Sequence, residues 1–509
     1  MRDASTLRML RRPWRFFRRL TLLLSLAAIS AGCASTPQPS QSHTPLPPAP
    51  HATSDWLTFG YDAARSGVNP APQPFTRTTV SRLTKRWSVM LPDVADSSPI
   101  LLHALAFPGR PRDVLYLTTR DGHLIALDAS DGSLLWSHQP SGPKITNSSP
   151  VADSAHHFVY AYGLDGALHR YNPVSGQEAT GPGWPAPVTL MTQTEKESSA
   201  LNLANGRVYV TTSGYFGDAP PYQGHLVTVD EASGAEHVFN TLCANQHRLL
   251  GAGDCAGQDS GIWARGGAVV DPENGDIYLT TGNGPFDANH GGSNFGDSIL
   301  RLSSDGSRLL DSYTPANFQY LADTDRDLGS SSTALLPRIA HSATPLLLVQ
   351  GGKDNHLKLI DRQNMSGQHG PGHVGGELQS VDLGCALFTQ PAIWTDPVNG
   401  RVWAIVDTVC GMRGFVVATN AAGVTRLTEA WRNDTVTTSP VIAGGVLFAA
   451  GENTVQAIDP TSGQILWDSR GASAGGTTGQ IHWESPIVVD GAVYSADESG
   501  SVTCYTLRP

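Results

Sequence analysis

The chain has 509 residues, of which 53 are Gly and 35 Pro, with charged residues at only 16% and a formal net charge of −11. Such a composition argues against a mainly helical protein and for many short strands joined by tight turns. The acidic excess disfavours nucleic acid as a partner, because its phosphates would be repelled.

Residues 1–32 read as an export signal. Seven Arg (2, 8, 11, 12, 15, 18 and 19) stand against Asp3, ahead of the apolar stretch Leu20–Ile29. With the leader at +6, the remainder is more acidic than the whole chain. The apolar stretch is too short for a stable bilayer-spanning helix, and small residues follow it. The segment Ser30-Ala31-Gly32-Cys33 resembles the bacterial lipoprotein cleavage box, with Ser30 where that family prefers Leu. The resemblance implies lipidation of Cys33 as the first mature residue and anchorage in a membrane. Ala34, rather than Asp, at the next position resembles outer-membrane sorting in Gram-negative bacteria, with the protein facing the periplasm. The Pro/Ser/Gln-rich run from Thr36 to Pro50 suits a flexible spacer, so 33–54 is expected to be a tether and 55–509 the folded domain.

Internal repetition dominates the rest. A phrase of Ser-Pro, an apolar run, an aromatic-bearing strand, Asp-Gly, a strand ending in Asp, a Ser-Gly or Asp-Gly turn and Leu-Trp recurs. It is clearest from Ser98-Pro99 through Asp128 and Gly132 to Leu135-Trp136, and again from Ser439-Pro440 through Asp459 and Gly463 to Leu466-Trp467. Each copy predicts four short strands. Units open near Ser98, Ser149, Ser199, Arg265, Ser331, Gln390, Ser439 and Ser485, roughly every 45 to 65 residues. A four-stranded sheet of that size cannot cover both faces alone, whereas radial packing against two neighbours covers them, so the period predicts an all-β propeller. The count is eight blades, with seven as the alternative. The last unit stops one strand short at Leu507, and the segment Leu83–Leu91, carrying Trp87, supplies a strand with no unit of its own. Pairing the two would leave no open edge.

Besides Cys33 the chain holds Cys243, Cys255, Cys385, Cys410 and Cys504. After export, Cys243 is expected to pair with Cys255; Cys385 with Cys410 is a second candidate pair and Cys504, on a strand, the candidate free thiol, the pairing among these three staying open. No spacing resembles a zinc site.

The repeat phrase resembles that of the pyrroloquinoline-quinone (PQQ) propellers, a likeness covering about residues 55 to 509. In that family the strand opening each unit lines the central axis, and the residues just before it reach the mouth of the channel. Here those residues are unlike one another: Asp96, Asn147, Glu197, Trp263 with Arg265, Gln390, Thr437 and His482-Trp483-Glu484. Such diversity around one axis predicts a binding site rather than a purely structural repeat. Long insertions at 213–224, 282–297 and 368–376 are expected to cover one face.

Within the family the chain resembles the quinoprotein alcohol dehydrogenases, and the resemblance implies PQQ and Ca2+ as cofactors. It implies Trp263 as the residue stacking on the quinone, Lys353 as a quinone contact, Asn283 in Thr280–Pro285 and Asp218 as calcium ligands, and Asp327 as catalytic base. The chain departs from that pattern in having no adjacent Cys pair and no Cys-x-x-Cys-His segment. Two functions stand. The leading one is an envelope lipoprotein that binds a partner protein or small ligand at the channel mouth, similar in repeat and anchor to the propeller lipoprotein that assists outer-membrane protein assembly. The other is a PQQ- and calcium-dependent periplasmic dehydrogenase of alcohols or sugars. Propellers host both.

Overall fold

The computed structural model describes residues 54–508, apart from 139–141, 143–144, 216–218 and 472–473. Cys33, Asp218, the leader and nearly all of the tether therefore lie outside the described residues. Eight sheets form eight blades, over 100–138, 151–187, 195–240, 269–313, 334–382, 392–433, 441–468 and 487–507. One short α-helix, Phe318–Thr324, is the α-helix of the described residues.

Period-two alternation explains the radial packing. In blade 1 the strand Leu124–Asp128 is buried along its whole length. Ile125 and Leu127 turn towards blade 8, joining Val493 and Tyr505 in one cluster. Leu124 and Ala126 turn towards blade 2, joining Ala152 and Tyr171 in another. Alternate residues thus face the two neighbouring blades, and neither face is left to solvent.

The recurring Trp and Gly have one shared purpose. Trp136 at the edge of blade 1 donates its indole N–H to the carbonyl of Pro173 in the first long turn of blade 2, at 3.0 Å. Three residues on, Gly176 lies flat against the same indole; a Cβ there would sit 2.6 Å from Trp136. Trp431 repeats this on Pro460, at 2.9 Å, and Gly463, and Trp87 on Ala129, at 3.2 Å, and Gly132. These turns close with the Gly N–H on an upstream carbonyl, from Gly132 to Asp128 and from Gly463 to Asp459, each at 2.8 Å. All three glycines have positive φ, which a side chain would strain.

The ring closes as the sequence predicts. Leu83–Met90 pairs antiparallel with Ser501–Leu507, with Trp87 opposite Cys504, and becomes the fourth strand of blade 8. The indole N–H of Trp467 in blade 7 donates to the carbonyl of Leu83 at 2.9 Å. Cys243–Cys255 and Cys385–Cys410 are disulfide-bonded, and Cys504 is free and buried.

The segment ahead of the closing strand was not legible as an element. Residues 56–69 wind around the axis and hydrogen-bond the inner strands in blade order. Trp56 pairs with Leu101 of blade 1, Leu57 accepts from Ala152 of blade 2, and Ala63 accepts from Val270 of blade 4. Ser66 then accepts from Ile393, Gly67 from Ile442, and Val68–Asn69 adds a short parallel strand to blade 7. At the centre Arg65 is fully buried, with Nε on Gly266, Nη1 on Thr58 and Phe59, and Nη2 on Ala200 and Leu201. Its donors are satisfied by oxygens, four of them main-chain carbonyls, which is how a buried guanidinium is tolerated. Burial nonetheless pulls its pKa down to about 9.

Candidate functional site

The stretches that lead into the inner strands meet at the mouth of the channel and line a cavity of about 240 Å³. Trp263, Arg265, Asp327, Lys353 and Trp483, all expected from sequence, are on its wall, together with Asn147. Lys196, Ser198, Tyr215 and Phe388 complete the parts that matter chemically.

Arg265 sits at the centre. Its Nη1 donates to the carbonyl of Ser198 and its Nη2 to those of Asp96, at 2.9 Å, and Asn147, at 2.6 Å. The guanidinium lies 5.8 Å from the centre of the Trp483 ring, within cation–π range. Trp483 also faces Phe388 at 6.4 Å, and Trp263 is held edge-on by Tyr222 at 5.6 Å. Two indoles and a phenyl ring therefore share one cavity with a fixed cation. Burial lowers Arg265 to about 10, which leaves it charged at neutral pH.

Lys196 is the main residue that sequence reasoning missed. Its Nζ donates to Asn147 Oδ1 and to Ser198 Oγ, both at 2.6 Å, and Ser213 Oγ donates to Ser198 Oγ, also at 2.6 Å. Burial, and then the charge of Arg265, brings its pKa down to about 7. Lys353 forms the opposite cationic corner, with Nζ 2.5 Å from Asp325 and 3.1 Å from Asp327. Burial would lower it, but the two carboxylates outweigh that and raise its pKa.

Other expected residues lie behind the wall. Glu197, fully buried, accepts from the main-chain N–H and hydroxyl of Thr211, at 3.1 and 3.4 Å. Burial holds its pKa well above the usual carboxylate range. Glu484 accepts from the N–H groups of His482 and Trp483, at 2.7 and 2.8 Å. Burial first, and Asp96 second, push it up to about 8. Gln390 donates to the carbonyls of Arg65 and Thr333, at 3.4 and 3.2 Å, and so ties the channel plug to blade 5. Asn283 accepts a main-chain hydrogen bond from Ser260 at 2.7 Å and is not among the described residues lining the cavity. Strand alternation accounts for the Glu197 displacement: Lys196 and Ser198 share the face turned to the cavity, and Glu197 between them points away.

Near Asp327, Asp297 is buried and accepts from the Leu328 N–H at 3.0 Å; burial, and then the charge of Asp327, raise it to about 7. Asp327 and Lys353 therefore form an ion pair beside a second, partly neutral carboxyl group.

The chain is 24% identical over 373 residues to the quinohemoprotein alcohol dehydrogenase ADH IIB of Pseudomonas putida, across 68% of this chain. The match takes in 50% of that protein, so the chain spans about half the length of the curated relative it matches. Among solved structures, it is similar to quinohemoprotein alcohol dehydrogenase ADHIIG of Pseudomonas putida HK5, with a TM-score of 0.64 and 17% identity over 89% of this chain and 80% of that one. The quinohemoprotein alcohol dehydrogenase of Comamonas testosteroni matches with a TM-score of 0.63 and 15% identity, over 90% and 81% of the two chains. At those identities the structural likeness establishes the eight-bladed fold. The family model described as "Outer membrane protein assembly factor BamB" matches residues 84–278 and 389–508, more than half of the sequence. The chain therefore belongs to that family of PQQ-type β-propellers, related in sequence and fold to the quinohemoprotein alcohol dehydrogenases.

Proposed function

We propose that the protein is a cell-envelope propeller whose channel mouth binds a compact, planar, anionic small molecule. One observation carries this reading. Lys196, Arg265 and Lys353 bring three cationic side chains to a cavity walled by Trp263, Trp483 and Phe388, in a chain of net charge −11. Among the described lining residues the carboxylate is Asp327, already paired with Lys353. Cations amid aromatic faces suit flat polycarboxylates, PQQ among them, by charge-assisted hydrogen bonds and stacking. Calcium fits the described wall poorly. It needs six to eight oxygens, whereas Asp327 is held by Lys353 and the Asn147 amide oxygen by Lys196. Export and lipidation at Cys33 would place this site in the envelope of a Gram-negative bacterium, tethered to the outer membrane.

A second reading, the dehydrogenase, is favoured by the juxtaposition of Asp327, Lys353 and Trp263 on one wall. PQQ would supply the redox chemistry there, and Asp327 would be the residue placed to take the substrate proton.

Thermal shifts with PQQ alone, Ca2+ alone and both together distinguish the readings. Binding to the native state adds about 2.7 kcal/mol at a hundredfold excess over Kd, which is readily measured. Stabilisation by PQQ without calcium, weakened in Lys353→Met, is the expected result. A shift that needs both, with alcohol-dependent dye reduction, would establish the dehydrogenase instead. No shift with PQQ or other aromatic polycarboxylates would overturn the small-ligand reading.

A further inference from the structure

The three groups Asp96, His482 and Glu498 meet beside the cavity, where blades 8 and 1 close the ring. Asp96 lies just before the inner strand of blade 1, His482 in the segment leading into blade 8, and Glu498 in the turn after Ala492–Ala496. Their ligand-type atoms all fall within 4.8 Å of one another, and among the described residues they are the group with that property. His482 Nδ1 is 3.4 Å from Asp96 Oδ1 and 3.3 Å from Glu498 Oε1.

Those distances are informative. Elsewhere His103–Asp113, His123–Asp121 and His156–Asp55 close to 2.8 Å, while His225–Glu195 stands at 3.3 Å and the exposed His237–Asp305 and His157–Asp153 at 3.6 and 3.8 Å. A direct hydrogen bond prefers that shorter range. Ligands about 2.0–2.2 Å from a tetrahedral metal stand roughly 3.3–3.6 Å from one another. The histidine thus stands off from both carboxylates by the edge of a coordination tetrahedron.

Asp96 adds an independent pointer. It is 2% exposed, and its Oδ2 accepts from Asn147 at 2.6 Å, while its Oδ1 faces His482 Nδ1 at 3.4 Å without a well-formed hydrogen bond. Arg265 donates to the main-chain oxygen of Asp96 rather than to this carboxylate. A buried carboxylate oxygen normally has a hydrogen-bonding or metal partner. The other two ligands are also positioned. The Glu498 N–H donates to the Gln480 carbonyl at 2.8 Å, and the His482 N–H to Glu484 Oε2 at 2.7 Å.

From this geometry we infer that Asp96, His482 and Glu498 form a mononuclear site for a divalent transition metal of the zinc class. One imidazole nitrogen and two carboxylate oxygens are a three-ligand protein set of the kind that leaves a further position for water or an anionic ligand group. Calcium, which takes six to eight oxygens, is excluded by the same set. The site differs in every residue from the Asn283 and Asp218 pair that the dehydrogenase resemblance implies. His482, Trp483 and Arg265 all line a second hollow of about 160 Å³ that adjoins the aromatic cavity. A metal held here would put a second centre of positive charge within reach of an anion bound there.

Titration calorimetry of chelator-treated full-length protein with Zn2+ alone tests the assignment, with no small molecule present. One Zn2+ per chain is expected. His482→Ala and Glu498→Gln should each weaken binding by about 100-fold or more, since even second-shell losses cost 10–100-fold. Glu498 is partly exposed, so its variant keeps the test valid should others fail to fold. Co2+ in place of Zn2+ should give the visible absorption of a four-coordinate ion, lost in His482→Ala. No binding by the parent protein, or equal binding in both variants, overturns the site and leaves a metal-free ion triad. Neither result bears on the thermal shifts with PQQ, so the two proposals fail separately.

Discussion

Arg65 donates through Nε to the main-chain oxygen of Gly266 at 3.0 Å, across 201 residues of sequence. Gly266 follows Arg265, so the plug of the channel and the central cation of the cavity are joined through one peptide unit. The N-terminal segment thus acts as the floor on which the site is built, in addition to contributing the closing strand.

Replacing Arg65 by Met should be strongly destabilising. The substitution keeps the volume but removes the donors to the carbonyls of Phe59, Ala200, Leu201 and Gly266. Leu201 keeps the Thr58 hydroxyl at 3.2 Å; each of the other buried carbonyls, left unpaired, costs about 1–3 kcal/mol, so a total loss of about 3 kcal/mol or more is expected in denaturant unfolding. An unchanged midpoint would show that the plug is dispensable.

Closure of the ring gives a second expectation. Trp467 is 6% exposed, packs edge-on against Tyr505 at 5.2 Å and bonds the first residue of the closing strand. Trp467→Ala should cost about 3–5 kcal/mol, as large-to-small changes of buried aromatics do. Trp467→Phe should recover most of the packing but not the hydrogen bond to Leu83. Equal stability of all three proteins would mean that the strand is not anchored there.

The architecture was legible because its signals repeat. Eight unit openings, four of them Ser-Pro, the Trp and Gly spacing and the strand orphaned at each end lead to the eight-bladed ring and its closure. The plug was not legible, since 56–69 has no periodicity and is fixed largely through main-chain hydrogen bonds to five of the blades. At the site, the positions flanking each inner strand were found, but the pleat decided which of two neighbours faced the cavity. Trp263 and Arg265 face it as expected. Glu197 and Glu484 sit one residue from the wall, next to Lys196 and Trp483, and are buried behind it. Cys243–Cys255 followed from spacing within one insertion; a metal set drawn from Asp96, His482 and Glu498 leaves no spacing motif to read.

Glu484 should make stability fall as pH rises. Its carboxyl titrates near 4.5 when unfolded and is pushed up to about 8 in the fold by burial and then by Asp96. Between those values the folded state binds the extra proton, so raising the pH favours unfolding. Its Oε1 is buried without a partner, which ionisation makes worse. Glu484→Gln should therefore flatten the fall in Tm between about pH 5 and 8 and gain relative to the parent at the alkaline end. A parallel slope in the two proteins would assign the dependence elsewhere.

The proposed lipid anchor would be carried by Cys33. Cys33→Ser should move the protein from the membrane pellet to the soluble periplasm and abolish incorporation of labelled lipid. Continued pelleting of the variant, with no label in the parent, would remove the lipoprotein reading.

The cavity should lose affinity for anions as the pH rises through neutrality. Lys196 is pulled down to about 7 by burial and by Arg265, so it is half charged near that pH, whereas Lys353 is raised by Asp327 and Asp325 and stays charged. An anion bound among these groups favours the charged lysine, and binding must then take up a proton above pH 7. Calorimetry with PQQ in two buffers of different ionisation enthalpy reads that proton directly. Uptake should be near zero at pH 6 and approach one proton by pH 8. In Lys196→Met the uptake should vanish and the affinity become flat with pH, at a value below that of the parent at pH 6. Proton uptake that persists in Lys196→Met would transfer the titration to another group, with Asp297, raised to about 7 beside Asp327, the next to replace.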